Sequence, residues 1–349
     1  MTRQTWTALV SGAIFVVLAA IIALAPVPFV AWAPGATYDV LGRQNDKPVI
    51  EISGEATHQP TGTLRMTTVA MTSVDSHLSL PEAVLSYWRP FRDVLPRDFI
   101  YPVGEPVDVI RARDAARMAT SQRAAIVAGL QAAGKPVTQV PQITSVVVSG
   151  PSYNRLQVGD FIEAVDGVPV TSRVDVENAI RRHTIGDLIQ IDIERAGSKL
   201  KVSVTTVASN DDQPVPRIGV EMINGYRFEP TITFNVADSV SGSSAGLAFA
   251  LGVYDLLTTD DLIAGRHIAA TGEITADGTV NSIGAVREKV RAAKDAGASI
   301  ILVPAGNCSD LLDPVTGIRV VKVTHLTDAI SSLAALSADP FNPEVPSCE

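Results

Sequence analysis

The chain has 349 residues, of which 46% are hydrophobic and 5% aromatic, and 37 acidic against 28 basic residues give a formal charge of -9. That acidity, with no basic block and no interleaved aromatic patch to offset it, excludes nucleic-acid binding. The length leaves material for about two globular domains beyond any membrane segment.

Residues 7–25 run without a charge and are mostly Ala, Val, Leu and Ile; the first charge after Arg3 is Asp39. As a helix this stretch spans about 28 Å, close to the hydrocarbon thickness of a bilayer. Trp6 and Trp32 bracket it as interfacial anchors would. Arg3 before the stretch and Asp39 after it place the N-terminus in the cytoplasm and the remainder outside the membrane. Ala23-Leu24-Ala25 also resembles a signal-peptide cleavage site, but Pro26 directly after it opposes cleavage and the apolar run is long for a signal. The reading is a single-pass anchor over 1–35, with the catalytic part of the chain extracytoplasmic.

Residues 36–115 contain strand-like runs at 49–52 and 63–69 and show no recognisable chemistry. His58 and His77 lack ligand-spaced partners and read as surface loop residues; no metal site is expected. A helical pattern follows over 115–133. Its end, Gly129-Leu130-Gln131-Ala132-Ala133-Gly134-Lys135-Pro136, nearly matches a phosphate-binding loop. Pro136 replaces the hydroxyl residue that would hold magnesium, and the first glycine sits inside a helix pattern instead of following a strand. Gly134 and Pro136 read as helix-ending residues, so no ATP and no other cofactor is expected.

Next come a strand at 143–148 and then Leu156-Gln157-Val158-Gly159-Asp160-Phe161-Ile162-Glu163-Ala164-Val165-Asp166-Gly167, a turn, strand and Asp-Gly turn. A helix over 173–182 and a hairpin pairing 187–194 with 199–205 complete the unit. The segment resembles a PDZ domain of the kind found in bacterial proteases, here assigned to 116–208. The resemblance implies capture of a peptide as an added strand, for substrate binding or gating; a structural spacer is the plainer alternative.

The segment 209–338 carries the chemistry. Gly242-Ser243-Ser244-Ala245-Gly246 lies between a strand-like run at 231–236 and an apolar helical run at 247–257, which puts Ser244 on a strand-to-helix corner. Unpartnered amides at a helix N-terminus suit an oxyanion. Two strand-like runs, 267–275 and 279–283, join through Ala276-Asp277-Gly278. A helix over 285–296 then places Lys289 in its first turns, where the helix dipole and burial both favour a neutral amine. A hydroxyl needs a base beside it, and a neutral lysine amine can be that base.

Four segments in order, Gly242-Ser243-Ser244-Ala245-Gly246, Thr271-Gly272-Glu273-Ile274-Thr275-Ala276-Asp277-Gly278-Thr279-Val280, Ile283-Gly284-Ala285-Val286-Arg287-Glu288-Lys289 and Ala292-Ala293-Lys294-Asp295-Ala296-Gly297-Ala298, resemble the proteolytic domain of Lon proteases. The resemblance implies Ser244 as nucleophile, Lys289 as general base and Thr271 as a hydroxyl that orients the lysine amine. It further implies peptide or protein substrates and assembly of copies into a homo-oligomer. The chain departs from the usual pattern in having Ser243 before the nucleophile in place of Pro, Ser241 in place of an acidic residue, and Ala285 in place of the second glycine before the lysine helix. None of these removes a catalytic atom.

A rival pattern exists. Gly242-x-Ser244-x-Gly246 also fits the nucleophile elbow of α/β-hydrolases, with Asp313 and His325 in triad order, but it leaves Lys289 unexplained. A catalytically silent PDZ scaffold is the alternative from another class. Cys308 and Cys348 are the two cysteines; in an exported chain a disulfide between them would pin the tail 339–349 onto the domain, and two free thiols are the alternative. The expected fold is therefore α+β: a transmembrane helix, a β-containing region at 36–115, a PDZ-like β-rich domain and a C-terminal α/β Lon-type proteolytic domain.

Overall fold

The computed structural model describes residues 3–210, 212–237, 240–311, 316–340 and 344–348. The chain forms two compact units, Met1–Gly134 with Pro230–Glu349, and Lys135–Glu229. The first unit begins with α1 (Arg3–Leu24), β1 (Phe29–Asp39), β2 (Ile50–Ser53), β3 (Thr63–Met71), α2 (Leu80–Trp88), β4 (Asp93–Pro96) and α3 (Val107–Ala132). The second contains β5 (Thr138–Val146), β6 (Phe161–Val165), α4 (Arg173–Arg181), β7 (Leu188–Arg195), β8 (Ser198–Thr205) and β9 (Val220–Arg227). The chain then re-enters the first unit with β10 (Thr231–Phe234), α5 (Gly246–Leu257), β11 (His267–Ala270), α6 (Val286–Asp295), β12 (Ile300–Pro304), β13 (Arg319–Val323) and α7 (Leu326–Ala338).

Helix α1 is 22 residues long, apolar and exposed along its whole length. It ends at Leu24, and the uncharged stretch beyond it is strand: β1 pairs antiparallel with both β3 and β4. Trp32 thus belongs to a sheet, while Trp6 stays on the exposed helix. β-Branched and aromatic residues after Pro26 favour the extended form.

The six-stranded sheet of this unit runs β13-β12-β11-β3-β1-β4. The four strands from β13 to β3 are mutually parallel. Every residue of β12 is buried, as expected of a parallel strand covered on both faces. The segment 36–115 is therefore structural partner to the proteolytic segment: β3 lies directly beside β11, with Met66 opposite Ala270. Strand β2 likewise pairs with β10.

Helix α5 is apolar apart from Tyr254 and the buried Asp255, and its residues Leu247 to Leu251 are fully buried. It packs against α3 closely enough that a Cβ on Gly129 would stand 2.8 Å from the Ala250 carbonyl oxygen. Gly129 is thus a helix-packing residue, and Gly134, with φ +69°, ends α3. The apparent phosphate-loop segment is a helix end. A disulfide joins Cys308 to Cys348 with 5.1 Å between the Cα atoms. Beside it the Lys322 amide donates to the Pro346 carbonyl oxygen, and Val345 is buried.

The second unit is built on an antiparallel sheet, β8-β7-β6-β5-β9, to which Val168–Pro169 adds a short sixth strand on β6; α4 packs against it, and Val207–Ala208 pairs separately with Pro216–Arg217. Alternating Ile189, Ile191 and Ile193 point into a core with Ile143, Ile162, Val176 and Ile180. Helix α4 starts at a reciprocal cap in which Ser172 and Asp175 each satisfy the other's amide. The Asp of the Gly-Asp motif, Asp160, is buried and takes a forked pair of 2.7 Å hydrogen bonds from Arg195. It also accepts from the Gln157 amide, so this motif holds the turn in shape.

Candidate active site

Ser244 lies one residue before the N-cap of α5, and Lys289 is the fourth residue of α6. The two meet: Lys289 Nζ is 2.7 Å from Ser244 Oγ. Ser244 is half-buried, whereas Lys289 is 5% exposed. Burial pushes the lysine amine down from its ordinary 10.5 to about 8, against a smaller opposing pull from the charge of Glu288. An amine with this value is substantially neutral near pH 8 and can accept a proton from the hydroxyl beside it.

The serine loop is held from three sides. Ser121 Oγ on α3 donates to the Ser243 carbonyl oxygen at 2.7 Å, and Ser243 Oγ donates to Glu273 at 2.7 Å. The Gly272 amide donates to the Ser244 carbonyl oxygen at 2.8 Å, and the Leu247 amide donates back to the Gly272 carbonyl. Those bonds explain why the long strand-like run 267–275 is broken in two. Strand β11 ends at Ala270, and Glu273–Ile274 then forms a separate small hairpin with Val280–Asn281. Gly246 has to be small because a Cβ there would meet Ser121 Oγ at 2.6 Å.

Thr271 is fully buried, and its hydroxyl donates to the Ser244 carbonyl oxygen at 3.3 Å. It therefore engages the serine backbone, and no bond joins it to the Lys289 amine among the described residues. The amides of Ser244 and Ala245 carry no hydrogen bond among the described residues, whereas that of Gly246 donates to the Ser243 carbonyl. The first two are the amides available to an oxyanion at this corner.

A cavity of about 260 Å³ opens at the Ser244–Lys289 pair. Its walls include Trp32 and Tyr38 from β1, Thr67 and Met71 from β3, and Met118 from α3. Sequence reasoning missed all five, since a lone Trp or Met in a strand or helix pattern carries no chemical signature. Ala285, at the N-cap of α6 and also in the wall, adopts a left-handed conformation with φ +56° and ψ +41°. The backbone there has the geometry a glycine would favour.

Glu288 was also missed. It is 1% exposed, and neither carboxyl oxygen has a hydrogen-bond partner among the described residues. Burial, with Asp93 nearby, raises its carboxyl to about 7.

The other sequence candidates lie apart from this chemistry. His325 caps α7 and faces Asp328, with its Nδ1 next to the Thr324 hydroxyl. The partner of the Ser244 hydroxyl is Lys289 instead. Asp313 lies outside the described residues. His58 and His77 are exposed. In the second unit a cleft of about 730 Å³ runs between α4 and the outer strand β9, lined by Arg173, Glu177, Ile180 and by Val220 to Met222.

Residues 236–335 match the family described as Lon protease (S16) C-terminal proteolytic domain, and residues 108–206 match the PDZ domain family. Lon protease 2 of Bacillus subtilis is 30% identical over 102 residues, 29% of this chain and 18% of that protein. Lon protease of Roseiflexus castenholzii is 40% identical over 93 residues, 26% of this chain and 11% of that protein. The chain thus spans less than a fifth of the length of these curated relatives. Among solved structures, the PDZ domain of the SdrC-like protein from Listeria monocytogenes is similar at 23% identity and a TM-score of 0.23, covering 24% of this chain and 86% of that one. The chain carries a Lon-type proteolytic domain, a serine peptidase domain of the Ser-Lys dyad kind, together with a PDZ domain.

Proposed function

We propose that this chain is an ATP-independent, membrane-anchored serine endopeptidase that cleaves peptides or proteins outside the cytoplasmic membrane, with Ser244 as nucleophile and Lys289 as general base. The observation that carries the reading is the 2.7 Å contact between a buried lysine amine and a half-buried serine hydroxyl at the mouth of a cavity. Neutral Lys289 takes the Ser244 proton as Oγ attacks the scissile carbonyl. The amides of Ser244 and Ala245 stabilise the resulting oxyanion. The lysine ammonium then gives its proton to the leaving amine, and the same amine activates the water that releases the acyl-enzyme.

Each remaining part of the reading has its own support. The helix character of Gly129 to Ala132 supports independence from ATP, because a phosphate-binding loop needs a strand-to-helix turn. Length, apolarity and full exposure of α1 support a membrane anchor, with Arg3 on the cytoplasmic side. The cleft between α4 and β9 supports capture of an extended segment by the PDZ domain, whether to deliver substrate or to gate the peptidase. In chain order the proposed domains are 1–35, 36–115, 116–208, 209–338 and 339–349, and because β1 and β3 share one sheet with β11, a functional peptidase needs both the early and late segments.

The test is cleavage of an unstructured protein by the full chain in a bilayer disc, since truncation at residue 36 would remove Trp32 and most of β1. Ser244→Ala and Lys289→Ala should each lower turnover by about a thousand-fold or more, as dyad members acting as one unit. His325→Ala should leave it unchanged. Turnover that survives Lys289→Ala removes the dyad reading.

A further inference from the structure

Helix α2 is amphipathic in the wrong sense for a protein in water. Its inward positions are small, Ala83 and Ser86, and both are buried. Its outward positions are large and apolar: Val84, Leu85, Tyr87 and Trp88, the last 76% exposed. A helix of a water-soluble domain shows the reverse arrangement. Two further apolar side chains stand out nearby in sequence, Phe99 at 78% and Val103 at 82% exposure.

The residues leading into α2 and those just before Phe99 are tied by backbone hydrogen bonding to the few residues that follow α1. Pro26 and Val27 pair with Ser79 and Leu78, which lead into α2. The Arg97 amide donates to the Pro28 carbonyl oxygen at 3.0 Å, and Phe29 pairs with Pro96. The segment is clamped further by Arg97, whose guanidinium donates to the Ser76 carbonyl oxygen, and by Tyr101, whose hydroxyl donates to that of Thr72. From Leu24 to Phe29 the chain can reach at most about 17 Å. The exposed face of α2 and the short helix Arg97–Ile100 that bears Phe99 are therefore held at the exit of α1, and α2 also touches α1 itself.

We propose that this collar is a second membrane-contact surface, in which α2 lies in the headgroup region with Tyr87 and Trp88 at the boundary with the acyl chains. The inference rests on α1 spanning the bilayer, and the occupant is lipid for two reasons. The apolar surface is continuous with α1, and tyrosine and tryptophan are the side chains that settle at membrane-water boundaries. Residues 80–100 carry three acidic side chains, Glu82, Asp93 and Asp98, against three basic ones, Arg89, Arg92 and Arg97, so with no net charge there apolar insertion, and not attraction to anionic lipid, drives the contact. Its effect would be to hold β1, and with it the Trp32 wall of the catalytic cavity, at a fixed height above the bilayer.

The chain has three tryptophans, at positions 6, 32 and 88. The full chain is reconstituted in phosphatidylcholine vesicles with and without bromine-labelled acyl chains, and quenching of tryptophan emission is compared for wild type, Trp88→Phe and Trp6→Phe. The proposal expects a loss of quenched emission in Trp88→Phe, strongest with bromines near the headgroup and insensitive to added salt. Equal quenching in wild type and Trp88→Phe, with quenching lost in Trp6→Phe, overturns the collar and leaves the anchor standing. If neither variant changes the quenching, α1 is not in the bilayer, and the collar falls with the anchor. An unquenched Trp88 whose emission shifts with protein concentration would assign the face to a second copy of the chain, and this too overturns the proposal.

Discussion

The Lys289 amine sits 2.7 Å from the Ser244 hydroxyl oxygen and is cut off from solvent, so its proton affinity is set by burial more than by any charged partner. With the amine lowered to about 8, it is an ammonium ion in acid and a free base in mild alkali. Turnover should therefore rise with pH through about 8 and then level off, following the fraction of neutral amine. Lys289→Arg should be inactive across the whole range, because a guanidinium does not give up its proton in that range. A pH profile of kcat/KM that is flat from pH 6 to 10 would remove Lys289 as the base.

Glu288 supplies a second pH effect of opposite sign. Its carboxyl is raised from 4.5 to about 7 by burial, so the folded chain holds a proton that the unfolded chain has already lost. Stability from this group is present below about 4.5 and is lost as pH rises through about 7, on the order of 3 kcal/mol over the window. Glu288→Gln should flatten that loss in urea unfolding measured at pH 5 and pH 8. Removing the carboxylate also removes the charge that favours the lysine ammonium, so the rise in turnover should move to lower pH. An unmoved profile would mean that Glu288 does not act on the dyad.

Thr271 is placed to hold the serine through its carbonyl. Thr271→Val keeps the shape and deletes the donor, while Thr271→Ser keeps the donor. One lost buried hydrogen bond is worth about 1 kcal/mol, or roughly fivefold to tenfold in kcat, with KM little changed. Thr271→Ser should recover most of that loss. A fall in Thr271→Ser with Thr271→Val unchanged would mean that the methyl group and not the hydroxyl matters.

The serine corner and the lysine helix were legible in the sequence because each is local: small residues before an apolar helix, and a turn before an amphipathic one. So was the second unit, whose alternating strands and Gly-Asp turn carry their own pattern. The walls of the cavity at the Ser244–Lys289 pair were not. Trp32, Tyr38 and Thr67 reach it only because β1 and β3 enter the sheet beside β11, a pairing some two hundred residues apart in sequence. Trp32 reads equally well as a membrane-boundary residue until that pairing is known. Helix α3 is similar: its sequence suggests a lead-in to the PDZ-like segment, whereas Gly129 and Ser121 hold it against α5 and the serine loop.

The bridge between Cys308 and Cys348 closes a loop of 40 residues in sequence separation. By loop-closure entropy such a link stabilises by roughly 4 kcal/mol, less whatever strain it carries. Cys308→Ser should lower the urea midpoint accordingly, while the Ser244–Lys289 pair, built on α5 and α6, keeps its geometry. Activity at low denaturant should therefore persist, and an inactive but fully folded Cys308→Ser would show that the tail shapes the site.

Ala285 carries the clearest backbone strain at the cavity. A residue with a Cβ in the left-handed region costs about 1 kcal/mol, and glycine is relieved of that cost. Glycine in turn gives the unfolded chain more freedom, offsetting roughly 0.5 kcal/mol or more. Ala285→Gly should thus be neutral to slightly stabilising, within about 2 °C in Tm for a unit of this size. Its effect on turnover should be larger than on stability. The Lys289 amide donates to the Ala285 carbonyl oxygen, so a looser residue 285 releases the first turn of the helix that aims the amine at Ser244. A drop in kcat at unchanged Tm would show that the alanine stiffens this turn; a rise would show that it restrains the enzyme.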